Sequence, residues 1–291
     1  MELRDLHYFL SIVQAGTLTK AAQHLNITQP ALSRNIKALE AELGVLLIDR
    51  HHTPITLTTD GIFLAKQAEK LLTLAADTVA GITHPHEIVG TLNIGAGETP
   101  LFKPIVTIIN TIQQTHPTVN INLVSGTAYE LLAQLQQGTL DFLLALDFNQ
   151  KAAFNFIDLP LTNQRGVYLN INHPLSAQTA ITSDQLKQYP LALAKQSAFK
   201  DAVIADLGFP LSELHIKLTY NLFYNVSFYA QLNTELMIVG LAGFPTPSDL
   251  KFIPFKPEQT STATIVWLNN RPLTPIQQLF VTALQQWLPT N

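Results

Sequence analysis

The chain has 291 residues, of which 47% are hydrophobic and 13% charged, with a net charge of −4 and no cysteine. The lack of cysteine excludes disulfides, thiolate zinc sites and cysteine nucleophiles, and the length predicts two or three domains. The net negative charge of the whole chain does not indicate nucleic-acid binding, for which an excess of basic residues is expected. Because we find neither a secretion signal nor an apolar run of about 18 residues, we expect a cytoplasmic protein without a membrane span.

Three helices are predicted at the start of the chain. The first has apolar residues at three- and four-residue steps and ends at Gly16. We expect Thr17 to cap the second helix and Thr28 to cap the third, which has Pro30 in its first turn. The third helix pairs an apolar stripe with a polar face, the stripe being Leu32, Ile36, Leu39 and Leu43 and the face Gln29, Ser33, Arg34 and Lys37.

Two short helices joined by a tight turn, the second with a polar outer face, are typical of helix-turn-helix DNA readers. A glutamine can bond adenine, an arginine can bond guanine or phosphate, and Ala31 can touch a thymine methyl group. The residues of the third helix and its cap that we expect to contact DNA are Thr28, Gln29, Pro30, Ala31, Ser33, Arg34 and Lys37.

A wing is predicted after the third helix. Residues 46–48 and 55–57 have the pattern of two short strands, and the loop between them holds Arg50, His51 and His52. We expect these three side chains to lie along the phosphate backbone or to reach the minor groove. Residues 1–58 have no net charge, since five basic side chains balance five acidic ones, but four of the basic ones fall between residues 20 and 50.

A long helix is predicted from Asp60 to about Thr83, capped by Thr59 and followed by a hinge at 84–89. Its apolar and small residues are spaced 4-3-4-3-4, as in a coiled-coil seam formed by Leu64, Ala68, Leu71, Ala75, Thr78 and Ile82. The seam predicts dimerisation, and the alternative is a helix that packs on its own domain.

The N-terminal motifs resemble those of the LysR-type transcriptional regulators almost continuously over about 60 positions. The residues that carry this resemblance are Leu6 and Phe9; Gly16-Thr17-Leu18-Thr19 with Ala21, Ala22 and Leu25; Thr28-Gln29-Pro30-Ala31-Leu32-Ser33 with Ile36, Leu39, Glu40, Leu43 and Gly44; and Leu57-Thr58 with Gly61. One departure is the wing, where His51, His52 and Thr53 replace the family's usual arginine or lysine. If these histidines contact DNA, binding should tighten as the pH falls through their titration range.

The resemblance implies an α/β protein with an N-terminal winged helix-turn-helix and a type 2 periplasmic-binding-protein-like effector domain of two α/β subdomains. It implies a DNA-binding domain at 1–58, a linker helix and hinge at 59–89, and an effector domain at 90–291. Subdomain I is expected at 91–161 and 269–291, and subdomain II at 162–268. The implied partners are promoter or operator double-stranded DNA, a small-molecule effector, and further copies of the chain in a homodimer or homotetramer.

Strands alternate with helices after residue 90, which predicts an α/β sheet that is largely parallel. In such sheets ligands bind beyond the carboxyl ends of the strands. The loops at these ends supply the candidate effector-binding residues Gly97, Glu98, Thr99, Thr127, Ser197 and Phe199. The alternative for the hydroxyl residues is simple helix capping. Glu98 could exclude a carboxylate effector, pair with a cationic one or only be solvated, whereas Lys195 and Lys200 could bind an anion.

Two other classes of protein are weaker alternatives. A solute-binding protein or enzyme on the same α/β fold would need a secretion signal or a catalytic set, and an interaction module would have no DNA target. We predict no catalytic residues, metal ligands or cofactor, and we expect Asp141 to be a structural hydrogen-bonding residue. The sequence therefore favours a DNA-binding regulator that senses a small molecule.

Overall fold

The structure is a computed structural model that describes residues 1–49, 54–83, 88–195 and 210–289. The chain divides into two compact units, Met1–Gly90 and Thr91–Asn291. In the described part of the chain, no helix is both long enough and apolar enough to cross a membrane.

Unit 1 begins with three helices, α1 at Leu3–Ala15, α2 at Leu18–His24 and α3 at Gln29–Leu43. Gly16 ends α1 in the left-handed region with φ 69°, where glycine has no steric penalty. The predicted cap of α2 is observed, because Thr17 Oγ1 accepts a hydrogen bond from Lys20 N at 3.3 Å. Thr28 occupies the N-cap position of α3 as predicted, although its side chain makes no capping hydrogen bond.

A short antiparallel hairpin follows, formed by β1 at Ile48–Asp49 and β2 at Thr56–Leu57. The long helix α4 then spans Thr59–Thr83. Its cap is Thr58 rather than the predicted Thr59, because Thr58 Oγ1 accepts a hydrogen bond from Gly61 N at 3.0 Å. The Thr58 hydroxyl also donates to Leu46 O, so the same residue joins the helix start to the hairpin.

The predicted seam of α4 divides into two parts. Ala68 is fully buried against Leu6 and Leu10 of α1, and Leu64 packs beside it. Toward the end of α4 the seam is exposed, and Ile82 retains 73% of its accessible surface. The first half of the seam therefore packs on its own domain, as the alternative expected, and the exposed apolar seam residues, Leu71 and Ile82, lie in the second half.

The remaining described α-helices and strands belong to unit 2, apart from Gly90, the first residue of β3. In chain order they are β3 Gly90–Ala96, α5 Lys103–Thr115, β4 Val119–Ser125, α6 Ala128–Gln137, β5 Phe142–Leu146, β6 Phe154–Asn170, β7 Ile181–Thr182, α7 Ser183–Gln188, β8 Leu191–Ala194, β9 Ile216–Tyr220, α8 Phe223–Leu232, β10 Met237–Leu241, β11 Leu250–Lys256, β12 Thr260–Leu268 and α9 Pro275–Trp287. The main strand order is β4-β3-β5-β12-β6-β10-β8-β9, with β11 paired to β6 and β7.

The strand β6 is the backbone connection between the two subdomains. Its first part pairs with β12, from Phe154 to Gln164, and its last part pairs with β10 and β11 from Arg165 onward. The sheet is mixed rather than largely parallel: β3 with β5 and β8 with β9 and β10 are parallel, whereas β6 and β12 pair with their neighbours antiparallel. The antiparallel strands are those that carry the chain from one subdomain to the other.

The chain passes between the subdomains a second time, and this second connection lies earlier in the chain than the predicted boundary at 268/269. The strand β12 pairs with β5, with Ala263 opposite Leu146 and Val266 opposite Leu143, so it belongs to the sheet of subdomain I. The chain therefore returns to subdomain I before Thr260 rather than after Leu268. The prediction placed the crossing too late because the apolar pattern of β12 fits a strand in either subdomain.

Candidate functional site

The helix α3 presents the polar face that the sequence predicted. Thr28, Gln29, Pro30, Arg34 and Lys37 are exposed. Ala31 and Ser33 are half-buried at the edge of this face. On the opposite side Leu32, Ile36 and Leu39 are buried in the core of unit 1. The apolar stripe thus orients α3 so that its amide, hydroxyl and cationic side chains are available to base edges and phosphates.

Glu40 of α3 has a structural position that sequence reasoning did not identify. Its side chain is buried, and Oε1 accepts hydrogen bonds from Leu47 N at 2.9 Å and Ile48 N at 3.3 Å. These bonds fix the start of the hairpin against α3. The carboxylate is thus directed toward the hairpin rather than toward solvent.

The tip of the predicted wing lies outside the described residues. Arg50, His51 and His52 belong to that segment, and the hairpin strands β1 and β2 form its base. Among the described residues the hairpin is joined to the body of unit 1 through Ile55 N, which donates to Gly16 O at 2.8 Å.

A cleft lies between the two subdomains of unit 2, with about 810 Å³ of space when the part open to solvent is included. Its enclosed volume is about 100 Å³, below the roughly 300–1,000 Å³ of sites for drug-sized ligands, so the cleft in this form suits a small molecule. Most of its lining is apolar, and the lining residues are Gly97, Glu98, Ala128, Leu131, Leu143, Leu144, Ala145, Leu146, Asp147, Ala194, Tyr220, Asn221, Leu222, Phe223, Gly240, Leu241 and Phe244. Of the predicted effector-binding residues, Gly97 and Glu98 lie in this lining.

The other predicted effector-binding residues have different surroundings. Thr99 Oγ1 accepts a hydrogen bond from Leu101 N at 3.2 Å and caps a short 3-10 turn. Thr127 caps α6 in a reciprocal box with Glu130 and borders an adjoining pocket. Both hydroxyls thus make the capping contacts that the alternative expected. Ser197 and Phe199, with Lys200, lie outside the described residues.

An aromatic cluster forms one wall of the cleft and was missed by sequence reasoning. Phe223 and Phe244 stack with their ring centroids 4.6 Å apart, and Tyr168 contacts both rings. Tyr168 donates to Leu241 O at 2.8 Å and accepts from Phe244 N at 3.0 Å. Burial raises the pKa of Tyr168 to about 12. The helix α8 starts just after the end of β9. Because ligands of α/β sheets bind beyond the ends of strands, this position could have identified Phe223 as a candidate binding residue.

Tyr220 lies in the same wall and is held as a neutral phenol. Its hydroxyl donates to Val239 O at 2.6 Å. Burial raises its pKa, and the nearby Tyr168 and Glu98 raise it further. Because its proton is used in this bond, Tyr220 offers the cleft an oxygen that can accept a hydrogen bond.

Two acidic side chains line the cleft, Asp147 and Glu98, and they have different hydrogen-bonding partners. The Asp147 carboxylate is 2.6 Å from the buried Arg165 guanidinium and also accepts hydrogen bonds from Ser261 Oγ and Thr262 N. Glu98 Oε2 instead accepts a hydrogen bond from Phe223 N at 2.6 Å. Asp147 therefore has a cationic partner, and Glu98 has a backbone partner on the other subdomain.

Asp141 lies away from the cleft lining and makes structural hydrogen bonds, as expected. Its carboxylate accepts hydrogen bonds from the backbone and side chain of Asn93 and from Gln277 Nε2. Burial raises the pKa of Asp141, and these hydrogen bonds partly oppose that effect. The residue ties β3 and α9 to the turn before β5.

Two family models match the chain, and together they cover nearly all of it. Residues 3–62 match the model described as "Bacterial regulatory helix-turn-helix protein, lysR family", and residues 85–289 match "LysR substrate binding domain". Among curated proteins, the chain is 27% identical to the HTH-type transcriptional regulator YybE of Bacillus subtilis, over 96% of this chain and 97% of that protein. It is 36% identical to the HTH-type transcriptional regulator BenM of Acinetobacter baylyi over 48% and 46% of the two chains.

Solved structures show the same fold over the full chain. Full-length CbnR complexed with its target DNA superposes with a TM-score of 0.78 at 20% identity, over 98% of this chain and 99% of that one. Full-length BenM gives a TM-score of 0.57 at 24% identity, over 99% and 97%. With both family models matched, the chain belongs to the LysR family of DNA-binding transcriptional regulators with an effector-binding domain, and this family regulates transcription rather than catalysing a reaction.

Proposed function

We propose that this regulator reads its DNA site through the exposed face of α3 and senses a small molecule in the cleft of unit 2. The observation that carries the first part is the position of Gln29, Arg34 and Lys37 on one exposed side of a helix whose other side is core. In helix-turn-helix readers this geometry directs the side chains into the major groove. The protein acts in the cytoplasm as a homodimer or homotetramer.

Within the recognition face, we assign base contacts to Gln29, Ser33 and Arg34, with Ala31 available to a thymine methyl. Lys37 is one turn further along and is assigned to phosphate, as are the backbone amides of Thr28 and Gln29. Pro30 has no N–H and is assigned only a packing contact with the DNA backbone. Arg34 Nε donates to Pro30 O at 3.4 Å, a long bond that leaves the guanidinium free to reorient onto a guanine edge.

The test is DNA binding by fluorescence anisotropy, with an operator selected from genomic DNA by the purified full chain. We expect Ser33→Ala and Arg34→Ala to lose about tenfold or more in specific affinity, because a good base contact contributes about 1–3 kcal/mol. Arg4→Ala is the control, since Arg4 is also an exposed cation of unit 1 but lies on α1. If both α3 variants retain sequence-specific binding, α3 is not the recognition helix.

For the wing, we assign phosphate or minor-groove contacts to Arg50, His51 and His52. Imidazolium formation would add positive charge opposite the phosphates, so binding should tighten as the pH falls from about 8 to about 6. The double variant His51→Gln with His52→Gln should remove this pH dependence and keep the affinity at pH 8. Flat binding by the unaltered protein over this range would contradict the assignment.

For the assembly, we assign the exposed end of α4 to a contact with a second copy. Leu71, Leu74, Val79 and Ile82 are apolar and exposed on this part of the helix. Sedimentation velocity should show a dimer or tetramer, and Ile82→Glu should shift it toward monomer. Lys66→Glu is the control, because Lys66 is exposed on the same helix but outside the apolar seam. A monomeric unaltered chain would contradict this assignment.

For the effector, we assign binding to the cleft lined by Gly97, Glu98 and the aromatic wall. Ala145 lies at the end of β5 in this lining and has no long side chain. Ala145→Phe should fill part of the cleft and abolish the effector's influence on DNA binding, while operator affinity without effector stays close to that of the unaltered protein. An effector response that survives this substitution would place the sensing site elsewhere.

A further inference from the structure

Glu98 connects the two walls of the cleft. It lies in the loop after β3, in subdomain I, and its Oε2 accepts a hydrogen bond from Phe223 N, the first residue of α8 in subdomain II. The two residues are 125 positions apart in the chain. The carboxylate is therefore more than a solvated surface acid, because it completes a contact between the two subdomains.

The start of α8 lacks a capping side chain of its own. Its N-cap residue is Leu222, whose apolar side chain cannot accept a hydrogen bond, and no side-chain cap is present there. Asn221 Oδ1 accepts from Leu222 N at 2.9 Å, and Glu98 accepts from Phe223 N. Free amides at a helix start favour an anion. In this chain Glu98 occupies that position with its own carboxylate.

The charge of Glu98 is not balanced by a cationic side chain in the described lining of the cleft. Asp147 is already paired with Arg165, and the Tyr220 hydroxyl donates to a backbone carbonyl. The remaining lining consists mostly of leucine, alanine and phenylalanine side chains. Lys195 borders the adjoining pocket, where its side chain is exposed. Glu98 is half-buried in this lining, so a second carboxylate placed beside it meets a like charge and is repelled.

We infer that Glu98 determines effector specificity: the cleft excludes small carboxylates and takes an apolar effector whose polar group is uncharged or cationic. The Glu98 carboxylate holds the place that a ligand carboxylate would take at the start of α8. The uncharged or cationic group can instead donate a hydrogen bond to Glu98. This inference rests on the proposal that the cleft is the effector site, but its test needs no effector.

The test compares amide exchange at Phe223 in the full chain and in three variants. Glu98→Ala removes the acceptor, so exchange of the Phe223 amide should become about tenfold faster or more, because hydrogen bonds to a charged group are among the stronger ones. Sodium acetate should slow this exchange again in Glu98→Ala, and sodium chloride at equal ionic strength should not. In the unaltered protein acetate should have no effect.

Glu98→Gln and Glu130→Ala complete the design. Glu98→Gln keeps an oxygen acceptor and removes the charge, so the Phe223 amide should stay protected even if Glu98→Ala folds poorly. Glu130→Ala removes another capping carboxylate of subdomain I, which accepts from Thr127 N at 3.0 Å, and should leave Phe223 unchanged. Equal Phe223 exchange in all four proteins would overturn the inference, as would a failure of acetate to restore protection in Glu98→Ala.

A second measurement addresses ligand charge directly. Benzoate, benzylamine and benzyl alcohol share one apolar ring and differ in the charge of the polar group. We expect benzoate to raise the melting temperature of Glu98→Ala more than that of the unaltered protein. If benzoate stabilises the unaltered protein as strongly as Glu98→Ala, carboxylates are not excluded and the inference is wrong. A sensing site elsewhere would instead be revealed by an effector response that survives Ala145→Phe.

Discussion

The Arg165 guanidinium lies 2.6 Å from the Asp147 carboxylate, at the point where the chain passes between the two subdomains. Arg165 is 3% exposed and lies in β6, whereas Asp147 follows β5. The same carboxylate accepts hydrogen bonds from Ser261 and Thr262 at the start of β12. One ion pair thus joins both segments in which the chain passes between the subdomains.

We predict that Asp147→Ala lowers the free energy of unfolding by about 3–5 kcal/mol, because it leaves the Arg165 charge buried without this carboxylate. Denaturant unfolding measures the change. Glu213→Gln is the control: Lys187 and Glu213 have the same 2.6 Å separation, but both side chains are substantially exposed. An exposed pair contributes at most about 1 kcal/mol. Equal losses in the two variants would show that burial does not determine the strength of the Asp147 pair.

We predict that Glu40→Ala destabilises unit 1, because it leaves Leu47 N and Ile48 N buried without their acceptor. A hydrogen bond to a charged group contributes about 1.5–3 kcal/mol, and Glu40→Gln should recover part of that because it keeps an oxygen. Thermal unfolding of the full chain measures both variants. Glu42→Ala is the control, since Glu42 lies on the same helix with a more exposed side chain. A Glu40→Ala protein as stable as the control would contradict the structural role.

How far the sequence predicts this molecule depends on whether the signal is local. The helix α3 is predictable because its stripe, its N-cap position and its stop at Gly44 all lie within one segment. The burial of Glu40 is not, since a charged residue near a helix end is usually solvated and its partners come from the hairpin. The family pattern contains Glu40 but does not say that it bonds to Leu47.

The residues of the cleft also divide into those that a local sequence signal predicts and those that it does not. The rule for strand ends identifies Gly97 and Glu98, which lie in the lining, and also Thr99 and Thr127, which cap helical turns. Phe223 escapes prediction because its contact with Glu98 joins segments far apart in the chain. The predicted subdomain boundary at 268/269 is misplaced for a related reason. The apolar pattern of β12 does not show which strands it pairs with.

We predict that Gly61→Ala disrupts the junction between α4 and the hairpin. A Cβ at this position would lie 2.0 Å from Leu47 O, and the backbone there must move because no flexible side chain can yield. We expect a loss of about 1–3 kcal/mol in the stability of unit 1, the usual cost of overpacking. The control is Ile62→Ala, at the next position of α4, where the side chain is half exposed. Unchanged unfolding of Gly61→Ala would show that the helix start can shift freely.

We predict that stability falls in acid partly through His173. Its Nδ1 accepts a hydrogen bond from Leu175 N at 3.0 Å, and its Nε2 lies 3.2 Å from Glu235 O, an arrangement that requires the neutral ring. Burial lowers the pKa of His173 below its usual 6.5. Between that value and the lower pKa of the folded protein, the unfolded state binds more protons, so stability is lost as the pH falls.

His173→Asn keeps an acceptor for Leu175 N but cannot titrate, and this isolates the contribution of the ring. The unaltered protein should exceed the variant in stability by about 1–3 kcal/mol near pH 7, because the variant leaves Glu235 O without this donor. The difference should narrow toward about pH 5 as only the unaltered protein loses stability through protonation. Denaturant midpoints across this range measure it. Parallel pH profiles would show instead that the pKa of His173 is the same in the folded and unfolded states.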